Sequence, residues 1–453
     1  MSDKISYVTL STGLFISLCF ATACTTSTYK STPTSVSNPP RILVLGLDGI
    51  SYSTFKKLQD GGHFRNFNGV SPMIASFPSI SDPNWDHLLG LGPEPGFTKA
   101  FFDPTIKTAS GMGQENGSIL AHFSKEPEYE RAVDFKVDGA LEHLTTFIWT
   151  GTTGRYLLES LEKNFFTFSK PARDIYFALI INSDLLSHIE GELPLMKFLS
   201  EIEDHIDSIQ KKYRKLYGRD LEVVLVSDHG NAYFTPVDID FQKPLEDLGW
   251  SFRNTLAGLR DVAFYVPEIL SFGAFYCFPT SARNLALDFS KLDRVQSTMY
   301  NDGKKIHILS GGGLSETILK YDPTTKFLSY TLVKGHDPLN QIQLFKKGKL
   351  GYQTYFDKTS ELEYPNALVR IWEGFNINSK TKPMVLVNPL LGSVFGNSTL
   401  RFFTNIRGFS SSHGSLHRDE SRGIFVSTTR EFPAIRPQDF RKYISVEQLK
   451  KAF

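Results

Sequence analysis

Three separated segments of this chain share one arrangement, a nearly unbroken apolar run that ends in an aspartate. They are RILVLGLDG (Arg41–Gly49), IYFALIINSD (Ile175–Asp184) and EVVLVSDHG (Glu222–Gly230). A strand with one wet face alternates polar and apolar residues, whereas a strand apolar throughout needs cover on both faces. Between the second and third runs, Leu195, Phe198, Leu199, Ile202, Ile206, Ile209 and Tyr213 fall at helical spacing. This alternation predicts an α/β fold, a doubly wound and mainly parallel sheet with helices on both faces. In such sheets the functional crevice lies at the carboxyl ends of the strands. Asp48, Asp184 and Asp228 stand at those ends. One aspartate after a strand is ordinarily a turn former or helix cap. Three on one edge, two of them followed by histidines (His188 in DLLSH and His229 in SDHG), point to chemistry.

The metal chemistry open to the chain is narrow. Of its three cysteines, Cys19 falls in the N-terminal apolar run and Cys24 directly after it, which leaves Cys277 alone. No disulfide framework or cysteine zinc site can be built from that, so a metal would need His and carboxylate ligands. The 49 basic and 48 acidic residues leave a formal charge of +1, and no nucleic-acid-binding surface is evident. The most basic stretch, KKYRKLYGR (Lys211–Arg219), closes a predicted helix and complements its dipole.

The N-terminus reads as a processing segment. Lys4, an apolar run from Tyr7 to Ala23 and the small residues of ATAC (Ala21–Cys24) predict an export signal over 1–23. Cys24 after small residues also resembles a bacterial lipoprotein box, although Ala21 stands where Leu is usual. The following TTSTYKSTPTSVSNPP (Thr25–Pro40) has nothing to bury and reads, with Cys24, as a flexible tether over 24–40. The expectation is an exported protein of the bacterial cell envelope or periplasm, lipid-anchored to the membrane at Cys24. An ordinary signal-peptidase cut before Cys24 is the alternative. The folded domain is expected over 41–453, with insertions at about 104–170 and 233–361.

Two more segments supply candidates. SSHGSLHRDESRGIFVS (Ser411–Ser427) places His413 shortly before another buried strand, GIFVS. SFPSISDPNWDHLLGLGP (Ser76–Pro93) places Ser81 before a short predicted helix. Alone, Ser81 would be a helix cap. Beside metal ions, a serine at a helix N-terminus is an activated nucleophile, with amides ready to hold negative charge. The GGG at Gly311–Gly313 lacks the lysine and helix of a phosphate loop and reads as a hairpin turn.

Taken in order, these motifs resemble the alkaline phosphatase superfamily, in its type I phosphodiesterase and nucleotide pyrophosphatase branch. The resemblance is carried by LGLDG, FPSISDPNW, DLLSH, VSDHGN and SSHGS, and it spans most of residues 41–427. It implies two divalent metal ions, zinc by ligand type. Asp184, His188 and His413 would hold one, and Asp48, Asp228 and His229 the other, with Ser81 as nucleophile and ligand of the second. It implies an exported phosphodiesterase that acts on a small phosphate ester. The alternatives are a phosphomonoesterase of the same superfamily and a catalytically silent envelope binding protein on this fold. Two departures matter. Nucleotide-cleaving members carry an Asn about twenty residues after the nucleophile, whereas GFTKAFFDP (Gly96–Pro104) has none and leaves Lys99 as a substrate-binding charge in its place. Sulfatases need an Arg where Trp85 stands, which argues against sulfate esters.

Overall fold

The structure is a computed structural model that describes residues 39–97, 100–103, 108–111, 127–136, 150–168, 173–253, 255–265, 270–395 and 408–446. Six strands form a first sheet. They are β1 (Ile42–Leu47), β2 (Ser71–Ile74), β3 (Phe135–Lys136), β4 (Ile175–Ile180), β5 (Glu222–Val226) and β6 (Arg422–Ser427), in the spatial order β2-β6-β5-β1-β4-β3. The three apolar runs are its centre. β1 lies between β4 and β5 and runs parallel to both, with Leu45 opposite Ala178 on one side and Leu225 on the other.

Successive side chains along these strands enter two different cores, which is why every position is apolar. Leu43, Leu45 and Leu47 pack with helices α1 (Tyr52–Asp60), α3 (Thr150–Thr167) and α5 (Glu192–Tyr217). Val44, Phe177, Leu179 and Val224 face the other way, onto Trp85 and Leu88 of α2 (Ser81–Leu89) and Phe440 near the C-terminus. Helix α5 buries the same seven residues that its spacing singles out, each worth about 1.5–3 kcal/mol of transfer free energy. It ends at Gly218, whose φ of 67° suits a residue without Cβ.

β6 departs from the parallel pattern. It runs antiparallel to β5, and β2 runs antiparallel to β6. Its reversed direction brings the chain that precedes it, with His413, to the rim where β1 and β5 end. The IYFALIINSD run also divides. β4 stops at Ile180 and α4 (Asn182–Glu190) begins two residues later, so Asp184 lies in a first helical turn rather than at a strand terminus.

A second, nine-stranded sheet is built from strands between Ser251 and Gly351 together with Val385–Pro389. Ile306–Ser310, Ser315–Asp322 and Phe327–Lys334 form consecutive antiparallel strands, and a 3-10 turn at Gly311–Gly313 joins the first two, as the hairpin reading of the three glycines expects. Helix α6 (Ala282–Phe289) covers one face, and α7 (Tyr352–Thr359) and α8 (Ala367–Asn376) cover the other. Phe77 and Ile80, just ahead of Ser81, are buried in the core beneath α7 and α8. Inside the stretch expected as an insertion at 104–170, β3 and α3 belong to the first sheet and its covering layer. Among the described residues no helix is long and apolar enough to cross a membrane. Cys24 and the N-terminal segment lie outside the described residues.

Candidate metal centre and nucleophile

The rim of the first sheet is assembled by side chains that tie one strand end to the next. Asp48 directly follows β1, and its N–H donates to the carbonyl of Ile180 at 3.1 Å. Ser183 donates to the carbonyl of Asp48 at 2.7 Å, and Ser227 accepts from the Ile50 amide at 2.8 Å. Gly49 has a φ of 67°, and a Cβ there would fall 2.2 Å from Oδ1 of Asp184. Only a residue without a side chain lets the Asp184 carboxylate come so close to this turn.

Three histidines reach the same place in one orientation. His188 is four residues after Asp184 on α4, hence on the same helix face, and its Nε2 lies 3.2 Å from Oδ2 of Asp184. His413 Nε2 lies 3.6 Å from that oxygen. His229 Nε2 lies 3.4 Å from Asp228 Oδ2 and 3.5 Å from Asp48 Oδ1. In each case Nδ1 faces a backbone carbonyl: Ser411 at 3.0 Å for His188, Gly230 at 3.0 Å for His229 and Ser79 at 2.8 Å for His413. A carbonyl only accepts, so Nδ1 carries a proton and Nε2 is the ring atom that turns inward. That is the orientation a metal ligand requires. The rings of His229 and His413 stack at 3.9 Å between centroids.

Ser81 opens α2 as its first helical residue, and Ile80 holds the capping position. Its hydroxyl therefore does not serve as the cap. It points to the acids, 3.2 and 3.3 Å from the two oxygens of Asp48, and lies 3.3 Å from Nε2 of His229. Asp48, Asp228, His188, His229 and His413 are buried, while Ser81 and Asp184 are partly open to solvent. The approach to the site is over those two.

Two groups have ligand atoms within 4.8 Å of one another, Asp48 with Asp228 and His229, and Asp184 with His229 and His413. The six expected metal ligands and Ser81 thus meet at one rim. His229 lies within reach of both groups, and His188 joins the second through Asp184. The electrostatics of the protein alone fit a cation. Burial raises Asp48 well above the ordinary carboxylate range, and Asp228 and Asp184 add to it. Burial likewise pushes Asp228 up to about 8, and its Oδ2 has no hydrogen-bond partner. Burial, then the neighbouring His413, lowers His229 to about 3. For Asp184 burial acts upward, but His188 and His413 outweigh it and hold the acid well below its usual range. Buried carboxylates, one with an orphaned oxygen, and inward-turned imidazole nitrogens are a donor set that a divalent ion would satisfy.

Some supporting residues carried no signal of their own. Asn231, next to the SDHG motif, donates to Asp184 Oδ1 at 2.6 Å and to the Gly49 carbonyl at 2.9 Å. The carbonyls of Ser79 and Ser411 act through their backbone, which no side-chain pattern reports. Lys99 lies outside the described residues.

No protein-family model matches the chain, and no curated protein aligns with it significantly. Solved structures do match. Murine ectonucleotide pyrophosphatase/phosphodiesterase 5 superposes over 90% of this chain and 95% of its own, with a TM-score of 0.50 and 11% identity. At that identity the likeness speaks to architecture, and the chain accordingly has the alkaline phosphatase-like α/β fold that its motifs resemble.

Proposed function

We propose that the chain is an exported, metal-dependent hydrolase of phosphate esters, a phosphodiesterase with Ser81 as nucleophile. The observation that carries this reading is the half-buried Ser81 hydroxyl set against Asp48 and His229, beside inward-facing Nε2 atoms of three histidines. Two divalent ions, zinc by donor type, held by Asp48, Asp228 and His229 and by Asp184, His188 and His413, would supply Lewis-acid stabilisation of the attacking, leaving and phosphoryl oxygens. The protein's own part is positional. Asp48 receives the hydrogen bond of the Ser81 hydroxyl and holds Oγ in place, and the hydroxyl proton passes to water as Oγ attacks phosphorus. The bond to the leaving oxygen breaks, and a phosphoserine forms. Water then attacks the phosphoserine from the vacated side, the serine leaves with a proton, and phosphate or a phosphate monoester is released. The exposed amides at the start of α2 favour negative charge on the phosphoryl group.

The substrate is a small phosphate ester. The absence of an Asn in Gly96–Pro104 favours one that is not a nucleotide, and Trp85 argues against a sulfate ester. Ser81→Ala is expected to lower turnover of bis-p-nitrophenyl phosphate by about 10³-fold or more while bound metal is retained. Most of the activity surviving that substitution would remove Ser81 from its role. Faster hydrolysis of the monoester than of the diester would favour a phosphatase, and a metal-free, inactive protein would favour a binding role. Export and anchoring at Cys24 belong to the same proposal. Cys24→Ala should move the protein from the membrane to the soluble fraction, and its persistence in membranes would count against a lipid at that position.

A further inference from the structure

Arg370 lies on α8, in the layer behind the second sheet, and is completely buried. The acid on the same helix, Glu373, is engaged by Arg436, so the Arg370 guanidinium has no carboxylate of its own among its hydrogen-bond partners. Four of its five acceptors lie on two other chain segments, Ser76–Ser79 and Ser415–Leu416, and the fifth is Pro365 just ahead of its own helix. Nη2 donates to Ser79 Oγ at 2.8 Å and to the carbonyls of Ser415 at 3.2 Å and Ser76 at 3.4 Å. Nη1 donates to the carbonyls of Leu416 at 2.9 Å and Pro365 at 3.1 Å. Ser79 is two residues ahead of Ser81, and Ser415 is two residues beyond His413.

These segments also touch each other. The Ser79 amide donates to the Gly414 carbonyl at 3.0 Å, its hydroxyl to the Ser415 carbonyl at 2.8 Å, and its carbonyl accepts from His413 Nδ1 at 2.8 Å. The bond that orients the His413 ring is therefore made to a residue whose own side chain Arg370 holds. A planar fork with donors on two nitrogens fits such a task, which a single ammonium cannot reproduce. Burial, with Arg436 next, weighs against the charge of Arg370, so its acceptors must hold it in place.

We infer that Arg370 is a positioning residue, clamping the nucleophile segment to the His413 segment so that Ser81 Oγ and His413 Nε2 keep a fixed relation. It touches neither substrate nor metal. This rests on the reading of the site given above, and its test uses metal binding as well as rate.

The experiment compares Arg370→Met and Arg370→Lys with Leu285→Ala, a core truncation on the opposite face of the second sheet. In the purified full chain, zinc affinity is measured by chelator competition. Cobalt(II) is then loaded in place of zinc, and its visible absorption reports the ligand field. Arg370→Met should weaken one of the two metal equivalents by about 10–100-fold, lower kcat by a similar factor and alter the cobalt spectrum. KM should move far less than kcat. Leu285→Ala should lose thermal stability with affinity, spectrum and kcat kept. If Arg370→Met does not fold, Arg370→Lys carries the same readings, since its one ammonium reaches fewer of the acceptors. A folded Arg370 variant with native zinc affinity and cobalt spectrum overturns the inference, as do losses no larger than those of Leu285→Ala at equal stability. Turnover surviving Ser81→Ala would defeat the nucleophile assignment, and no turnover of either ester by the parent protein would defeat the hydrolase reading; both leave the metal-affinity result for Arg370 intact.

Discussion

Asp86 shows at the scale of one residue how the helix that carries Ser81 is tuned. It is buried on α2, neither carboxyl oxygen has a hydrogen-bond partner, and burial, then Asp82 and Glu94, pushes it from 3.8 up to about 8. A folded-state value above the unfolded one means that the native protein holds this proton more tightly. The contribution to stability is complete below about pH 4 and is lost as the pH rises through about 8. Asp86→Asn cannot ionise, so it should gain on the parent protein as the pH climbs. The difference in thermal midpoint, measured at about pH 5 and pH 9, should widen by several degrees, with about 1.4 kcal/mol per pKa unit as the upper scale. Equal differences at both pH values would show that Asp86 is ionised in the native state. Legibility at this scale was uneven. Asp48, Asp228 and His229 sit inside recognisable strand-end motifs, and they meet as those motifs suggest. Asn231 and the carbonyls of Ser79 and Ser411 act across chain separations that no local pattern encodes.

Among the elements, α5 was readable residue by residue because its period is long and uninterrupted. The IYFALIINSD run was harder. The last turn of apolar residues hides a helix start, and Asn182, Ser183 and Asp184 are all residue types that begin helices. The direction of β6 was not legible, since composition records burial and not polarity. Its consequence is a tight fit at the rim. A Cβ on Gly423 would stand 2.2 Å from the carbonyl oxygen of Ser227 and 3.1 Å from the amide of His229. Backbone atoms cannot rotate out of the way as a side chain can. Gly423→Ala should therefore cost about 1–3 kcal/mol in denaturant unfolding and weaken metal binding through His229. Unchanged stability would mean that β6 and β5 are less closely apposed than the register indicates.

For the whole molecule, the acids at the rim would couple stability to a bound metal ion. Asp48 and Asp228 are buried together with too little positive charge among the protein's own groups, so a bound cation would relieve them. Any ion that binds only the folded chain stabilises it, by about 2.7 kcal/mol at a hundredfold excess over Kd. Chelation should lower the thermal midpoint and added zinc should restore it, while Asp228→Asn should blunt both changes. A midpoint indifferent to chelator would argue against a resident ion. The sequence revealed the first sheet more fully than the second, because buried parallel strands advertise themselves and mixed antiparallel ones do not. Yet Phe77 and Ile80 root the serine-bearing segment in the core beneath α7 and α8, and a Cβ on Gly374 of α8 would stand 2.8 Å from the Phe77 carbonyl oxygen. The segment leading into Ser81 is thus rooted in the core of the second sheet, while the helix that Ser81 opens packs on the first, beside the acids and histidines of the rim. Partial melting of either layer would break up that cluster while half of the architecture still stood.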